Sequence, residues 1–255
     1  MLDQTQSVQM ITITLKSSLM NWSQLEREFK TALKQAPGMI ALNCEDLRQV
    51  TSTQLGVIWQ AHCLGTDAGI RVQLVSVPQT LKRALKALDL YDKLEIEDTD
   101  VETSQAIQFA EIAVTGEDNY NNEFPATKEA ARTSLTSFIE FLKNSGLPEI
   151  MAFDLRTIYY EVIHNILEYG KIPSDKTITF SLNLTTSNIT LCFTDSGVSF
   201  DPTKRKAEFD PKLAASMRQL KGIGLTLVHR LADSMEYTRE NNSLNVLTIK
   251  KSWSK

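Results

Sequence analysis

Between Gln9 and Leu94 the chain changes repeatedly from strand-like to helix-like hydrophobic spacing, which restricts it to a sheet with helices packed on it. Gln9–Lys16 alternates apolar and polar residues, as a half-buried strand does. Trp22–Gln35 sets Trp22, Leu25, Phe29, Ala32 and Leu33 at helical spacing and ends at Pro37-Gly38. Met39–Leu42 predicts a buried strand. Thr53–Leu64 predicts a helix capped by Thr51 or Ser52 and stopped at Gly65. Val72–Val77 predicts a strand and Gln79–Leu88 a helix, and Leu90–Leu94 closes the unit.

A different order follows. Asp98–Glu123 is rich in Asp, Glu, Asn and Thr, ends in the polar run EDNYNN, and marks a boundary, although Gln105–Val114 is apolar enough for a strand or short helix. Ala126–Leu142 predicts an amphipathic helix that ends near Gly146-Leu147-Pro148. Asp154–Gly170 predicts another, with Asp154 at the N-cap, Gly170 at the stop and Pro173 beyond. Paired strands over Lys176–Thr185 and Asn188–Thr194, turning at Thr186-Ser187, come next. A polar, basic stretch over Thr203–Leu220 leads to a helix over Thr226–Asp233 and a last strand over Asn245–Lys250. Helices followed by strands fit a two-layer α/β sandwich. The expected organisation is 1–97 and 122–255 as two unlike α/β domains, with 98–121 connecting them and no internal repeat.

Composition narrows the function classes. A net charge of −4 gives no electrostatic case for nucleic acid or an anionic membrane surface. No apolar run approaches ~18 residues, and the start of the chain lacks a basic stretch followed by an apolar core. Cys44, Cys63 and Cys192 are isolated, without C-x-x-C spacing, and two of them lie in strand-like runs. His62, His164 and His229 have no metal-ligand spacing. The expectation is a cytoplasmic protein without a structural metal.

Three stretches of the second half carry chemistry. In DLRTIYYEVIHNILEYG, Leu155, Ile158, Tyr159, Val162, Ile163 and Ile166 form an apolar stripe, with Glu161 and Asn165 stacked one turn apart at its border. By itself that pair reads as the solvated edge of a packed helix. DSGVSFDP (Asp195–Pro202) follows a strand, and KGIGL (Lys221–Leu225) precedes a helix. Together, in this order and on these elements, they resemble the N, D-x-G and G-x-G boxes of the histidine-kinase-like ATPases, whose fold is the Bergerat sandwich. The likeness spans Asn122–Lys251, includes EFPATKEAARTSLTSFIEFL, and is closest to bacterial anti-sigma factor serine kinases. The resemblance implies ATP and Mg²⁺ as cofactors. Asn165 would give its side-chain oxygen to Mg²⁺, and Glu161 would accept or orient the proton of a serine hydroxyl. Asp195 would accept a hydrogen bond from the adenine amino group, with Gly197 allowing close backbone approach. Gly222 and Gly224 would bring backbone N–H groups to the phosphates, and Lys221, Arg218 or Lys204 would add cationic contacts. The family's adenine-side residue on the last strand corresponds to Asn245 or Thr248, and its usual His before the terminal Gly is Tyr169 here.

The first unit resembles the STAS domain of anti-sigma factor antagonists over Gln9–Glu97, through VTSTQLGVI (Val50–Ile58) and GIRVQLVSVPQTLKRALKALDLYDKL (Gly69–Leu94). The family's phosphorylated motif, Asp-Ser-Ser-Gly-Leu-Gly, reads Thr51-Ser52-Thr53-Gln54-Leu55-Gly56 here. Ser52 falls on the phosphate-bearing position, with Thr51 and Gln54 as departures and Thr51 and Thr53 as other acceptors. A serine there also serves as a helix cap, whereas a phosphoserine adds about −1.5 to −2 charges at a helix N-terminus. The resemblance implies a partner-switching regulator of transcription. A kinase domain would phosphorylate a STAS serine, its own Ser52 or that of a separate STAS antagonist, and so control binding to a sigma factor or other regulator. A homodimer is implied as well. The alternatives are a nucleotide-binding protein that sequesters a partner with little catalysis, and a scaffold whose STAS domain is never phosphorylated.

Overall fold

The computed structural model of the protein describes residues 9–16, 22–35, 37–47, 50–97, 118–204, 209 and 222–252. Their elements fall into two compact units. The first holds β1 (Met10–Thr14), α1 (Trp22–Leu33), β2 (Met39–Asn43), α2 (Ser52–Asp67), β3 (Arg71–Val75) and α3 (Gln79–Ala87). A 3-10 turn at Tyr91–Lys93 then leads into the short β4 (Glu95–Ile96). The four strands pair in parallel in chain order, with Ile40 opposite Ile11 and Val72. Parallel strands covered on both faces read as unbroken apolar runs, and Ile40, Ala41 and Leu42 are all buried. Leu25, Phe29 and Ala32 of α1 bury the stripe that their spacing predicts, and Leu81, Ala84 and Leu85 form a buried stripe on α3.

The start of α2 is a reciprocal capping box. The Thr51 hydroxyl accepts from the Gln54 amide at 3.3 Å, and the Gln54 side chain accepts from the Thr51 amide at 2.9 Å. Thr51 is therefore the N-cap and Ser52 the first helical residue. Gly65 does not stop this helix, which runs on to Asp67. It lets β3 come close instead: a Cβ there would sit 2.2 Å from a methyl of Val72. Cys44 is a core thiol, and burial pushes its pKa up to about 12.

The second unit is the two-layer sandwich. It holds β5 (Asp118–Pro125), α4 (Lys128–Asn144), α5 (Glu149–Tyr169), β6 (Thr177–Leu184), β7 (Asn188–Asp195), α6 (Ile223–Leu231, from Gly224 onward), β8 (Ser234–Glu240) and β9 (Leu244–Ser252). The sheet is antiparallel in the order β5-β6-β7-β9-β8. Its inner face carries Ile178, Phe180, Leu182 and Leu184 of β6 and Ile189, Leu191 and Phe193 of β7. Phe138 of α4 and Tyr159 of α5 pack edge-on against Phe180 with centroids 4.9 and 4.8 Å apart, which lays both helices on this face. The Tyr159 hydroxyl donates to Ser134 at 2.6 Å, and burial pushes its pKa up to about 12.

Two sequence expectations change here. The polar run expected at the boundary enters the sheet: Asp118–Asn122 belong to β5, pairing with β6. The inward side chain of Asn122 is satisfied by Ser134 at 3.1 Å and Tyr120 at 3.0 Å, so a polar residue fits an inward position. Asp154 is not an N-cap. The helix starts five residues earlier, after Pro148, and Asp154 is fully buried within it. Its carboxylate pairs at 3.1 Å with Lys251 of β9, whose ammonium also donates at 2.6 Å to the Leu231 carbonyl at the end of α6.

Removing one partner of a buried ion pair is strongly destabilising. Lys251→Ala should therefore cost about 3–5 kcal/mol in urea unfolding. Asp154→Leu with Lys251→Met should cost much less than the sum of the two single changes.

Candidate functional site

Glu161 and Asn165 lie on the inner face of α5. Glu161 is 1% exposed, so it is not the solvated edge that its border position suggests, while Asn165 is half-buried. Next to it, burial pushes the Tyr160 phenol up and the Glu161 carboxylate adds to that shift. His164 stacks on Tyr160, with centroids 5.9 Å apart and rings 9° from parallel.

The D-x-G turn follows β7 directly and is closed by its own acid. Asp195 is buried, and its Oδ1 accepts the Gly197 amide at 2.7 Å. Gly197 is dictated by packing. A Cβ there would fall 2.5 Å from the Gly170 carbonyl and 2.8 Å from Ile172. The Val198 amide donates to that same carbonyl at 2.8 Å. The turn is therefore fastened to the end of α5, the helix that carries Glu161 and Asn165.

Strand register settles which residue of β9 stands beside Asp195. Asn245 is directly opposite it, whereas Thr248 pairs with Cys192 and so points to the other face. The Asn245 amide donates to Asp195 at 2.8 Å, to the Val198 carbonyl at 3.2 Å and to the Gly197 carbonyl at 3.4 Å. Its oxygen accepts from Tyr237 at 2.7 Å and from Arg239. Tyr237 and Arg239 belong to β8, an element the chain's spacing does not single out. Asn241 and Asn242, both at positive φ, form the turn into β9 between two alternating segments, and that dipeptide is the available signal.

The G-x-G stretch opens α6. The helix begins at Ile223, three residues before the expected Thr226, so Gly224 lies in its first turn. Gly222 has a φ of 92°, which a side chain would strain. Lys204 pairs at 3.2 Å with Asp201 in the loop after the turn, and His229 of α6 contacts the Pro202 carbonyl at 3.1 Å. Lys221 and Arg218 lie outside the described residues, as does Gln105–Val114.

Residues 124–251 match the histidine kinase-like ATPase domain family, and this stretch is half of the chain. The chain belongs to that family. No curated protein matches it in sequence. Among solved structures, it is similar to a chain of the SiaB–SiaC complex from Pseudomonas aeruginosa at 14% identity and a TM-score of 0.42, covering 52% of this chain and 88% of that one. It is similar to the RsbU and RsbW domains of Rv1364c from Mycobacterium tuberculosis at 18% identity and 0.39, covering 54% and 33%. The histidine kinase AdeS from Acinetobacter baumannii is similar at 13% identity and 0.34, covering 94% and 100%. Among the described residues, no helix is long and apolar enough to cross a membrane.

In the ATPase domain the turn can relax only by moving backbone. Gly197→Ala should cost about 1–3 kcal/mol in urea unfolding. It should also speed amide exchange at Val198, whose bond to Gly170 it disrupts.

Proposed function

We propose that this protein is a partner-switching regulator whose ATPase domain is an ATP-dependent serine kinase acting on a STAS-domain serine. The observation that carries the reading is the buried carboxylate of Glu161 one helical turn before Asn165, in a domain of the histidine kinase-like ATPase family. A carboxylate taken out of solvent and held by a rigid helix is placed like a general base rather than like a surface charge. Asn165 offers one neutral oxygen, a donor type that Mg²⁺ accepts beside phosphate and water. Mg-ATP, when bound, supplies the phosphoryl group and neutralises its charge. The chain's own residues would do the rest. Asp195 would accept the adenine amino group. Gly222 and Gly224 would turn backbone amides toward the phosphates. Lys221, with Arg218 or Lys204, would add cationic contacts. Glu161 would take the proton as the serine oxygen gains the phosphoryl group and ADP departs.

On this reading residues 1–97 are a STAS domain, residues 122–255 are the kinase, and 98–121 connect them. The acceptor is Ser52, in the same chain or a second copy, or the serine of a separate STAS antagonist. Two domains on one chain face each other at an effective concentration of about millimolar. The phosphate would shift the kinase between that STAS partner and a sigma factor or other regulator. A cytoplasmic location and a homodimer belong to the same proposal.

One observation favours a second reading. Thr51 and Gln54, the two departures from the STAS motif, are the two members of the capping box. Their identities therefore serve helix stability. The first unit could then recruit a partner without ever being phosphorylated, while the second binds nucleotide and sequesters that partner.

An intact-mass time course with Mg-ATP, run on the parent, Ser52→Ala and Glu161→Ala, separates these readings. One phosphate gained by the parent alone is the expected result. No gain despite ATP binding, on its own serine or on an added STAS protein, would leave the nucleotide-dependent binding protein. In that case Asn165→Ala would abolish partner binding and Glu161→Ala would not.

A further inference from the structure

We propose that Tyr237 and Arg239 are positioning residues that set base selection at Asp195, an inference that rests on reading this pocket as the ATP site. Neither residue belongs to the boxes that define that site. Both lie on β8, and the register of β8 with β9 puts Arg239 directly opposite Asn245. Both bond Asn245, which in turn bonds Asp195.

The chemistry of the contacts fixes which way the Asn245 carboxamide points. A guanidinium can only donate, so the atom of Asn245 facing Arg239 is its oxygen. The Tyr237 hydroxyl donates to that oxygen too, at 2.7 Å. On the opposite side, Asn245 faces only acceptors: Asp195 Oδ1, the Gly197 carbonyl and the Val198 carbonyl. A flipped amide would set NH₂ against the guanidinium, and oxygen against a carboxylate and two carbonyls. One orientation therefore satisfies every partner, and it aims the NH₂ at Asp195.

The consequence falls on the carboxylate. Oδ1 receives two N–H groups, Gly197 at 2.7 Å and Asn245 at 2.8 Å, which fix its plane. Oδ2 is then the oxygen that meets a ligand, and an ionised carboxylate can only accept. An adenine presents an amino donor at its 6-position, whereas a guanine presents a carbonyl oxygen there and opposes it. Arg239 also donates to the Gly197 carbonyl at 3.0 Å, and Ser199 bonds Tyr237 at 3.0 Å, so the same pair of residues steadies the turn on its outer side. Without Arg239 the Asn245 oxygen keeps only the Tyr237 hydroxyl and the Gly197 carbonyl loses a donor, so the amide and the turn that together hold Oδ1 are fastened less firmly.

The test is equilibrium binding of Mg-ATP and Mg-GTP to the full chain, for the parent, Arg239→Met, Arg239→Lys and Tyr237→Phe. Amide exchange of residues 195–200 is followed in the nucleotide-free proteins. The parent should prefer ATP. Arg239→Met should weaken ATP roughly tenfold and leave GTP unchanged, and Tyr237→Phe should weaken ATP by roughly threefold. Arg239→Lys keeps a donor-only group and should retain part of the preference. Exchange at Gly197 and Val198 should quicken in Arg239→Met. An unchanged ATP affinity in Arg239→Met, or an equal loss for both nucleotides, would overturn the positioning role while leaving the ATP site standing. A parent that binds neither nucleotide overturns the site itself, and this proposal with it.

Discussion

The geometry of the second unit depends on a buried ion pair. Asp154 and Lys251 meet at 3.1 Å with almost no solvent on either side chain. Such a pair adds little net stability, because desolvation offsets most of the attraction. What it contributes is phase. An α-helix turns by about 100° per residue, so Glu161 lies within roughly 20° of Asp154 around α5, and so does Asn165 on the other side. Once Asp154 is held inward against β9, Glu161 and Asn165 are directed to the same face. The burial of Glu161 follows from that rotation. The ammonium of Lys251 also holds the last carbonyl of α6, so one charge ties together the helix bearing Glu161 and the helix opened by the G-x-G stretch.

Strand β9 organises the other pole. Its inward positions run Asn245, Leu247, Ile249 and Lys251, polar at both ends and apolar between. The two polar ends are about 20 Å apart along the strand. One end anchors the ion pair, and the other sets Asn245 against Asp195. Because side chains alternate strictly, a slip of one residue would lose both together. The core between them, with Phe180, Phe193, Phe138 and Tyr159 in ring contact, penalises that slip. The ends of the face are therefore held by packing in the middle as well as by their own bonds.

Much of this was legible from the chain, and the exceptions share a physical cause. Long periodic segments such as α1, α3 and most of α5 follow from spacing, and so does the hairpin of β6 and β7, while the three boxes follow from a family resemblance. Asp154 misleads because an Asp before an apolar stripe has the pattern of a cap, while only the fold supplies Lys251 from nearly a hundred residues on. Gly65 misleads similarly: its role is the approach to Val72, a tertiary contact. Strand β5 hides because one of its inward residues, Asn122, is polar and satisfied by Ser134. Strand β8 hides because Met235, Tyr237 and Arg239 are only half-buried at a sheet edge. For the site, the likeness to the family's boxes points to Glu161, Asn165, Asp195 and Gly197, whereas spacing alone makes Glu161 and Asn165 a solvated helix edge. The choice of Asn245 over Thr248 needs register, which spacing along one strand does not encode.

The start of α2 bears on how a phosphate and a cap can share one helix end. The capping box uses the amides of Thr51 and Gln54, at the N-cap and N3 positions. The amides of Ser52 and Thr53, at N1 and N2, stand outside that exchange. A dianion on Ser52 would lie beside them, where the helix dipole favours negative charge. The box therefore does not compete with a phosphate for the same donors. It fastens the first turn through Thr51 and Gln54, and a phosphate would add charge one residue further on, at Ser52. A switch of that kind would act on what docks against the first unit rather than on its fold, because the added charge is tolerated by the helix and felt by the partner.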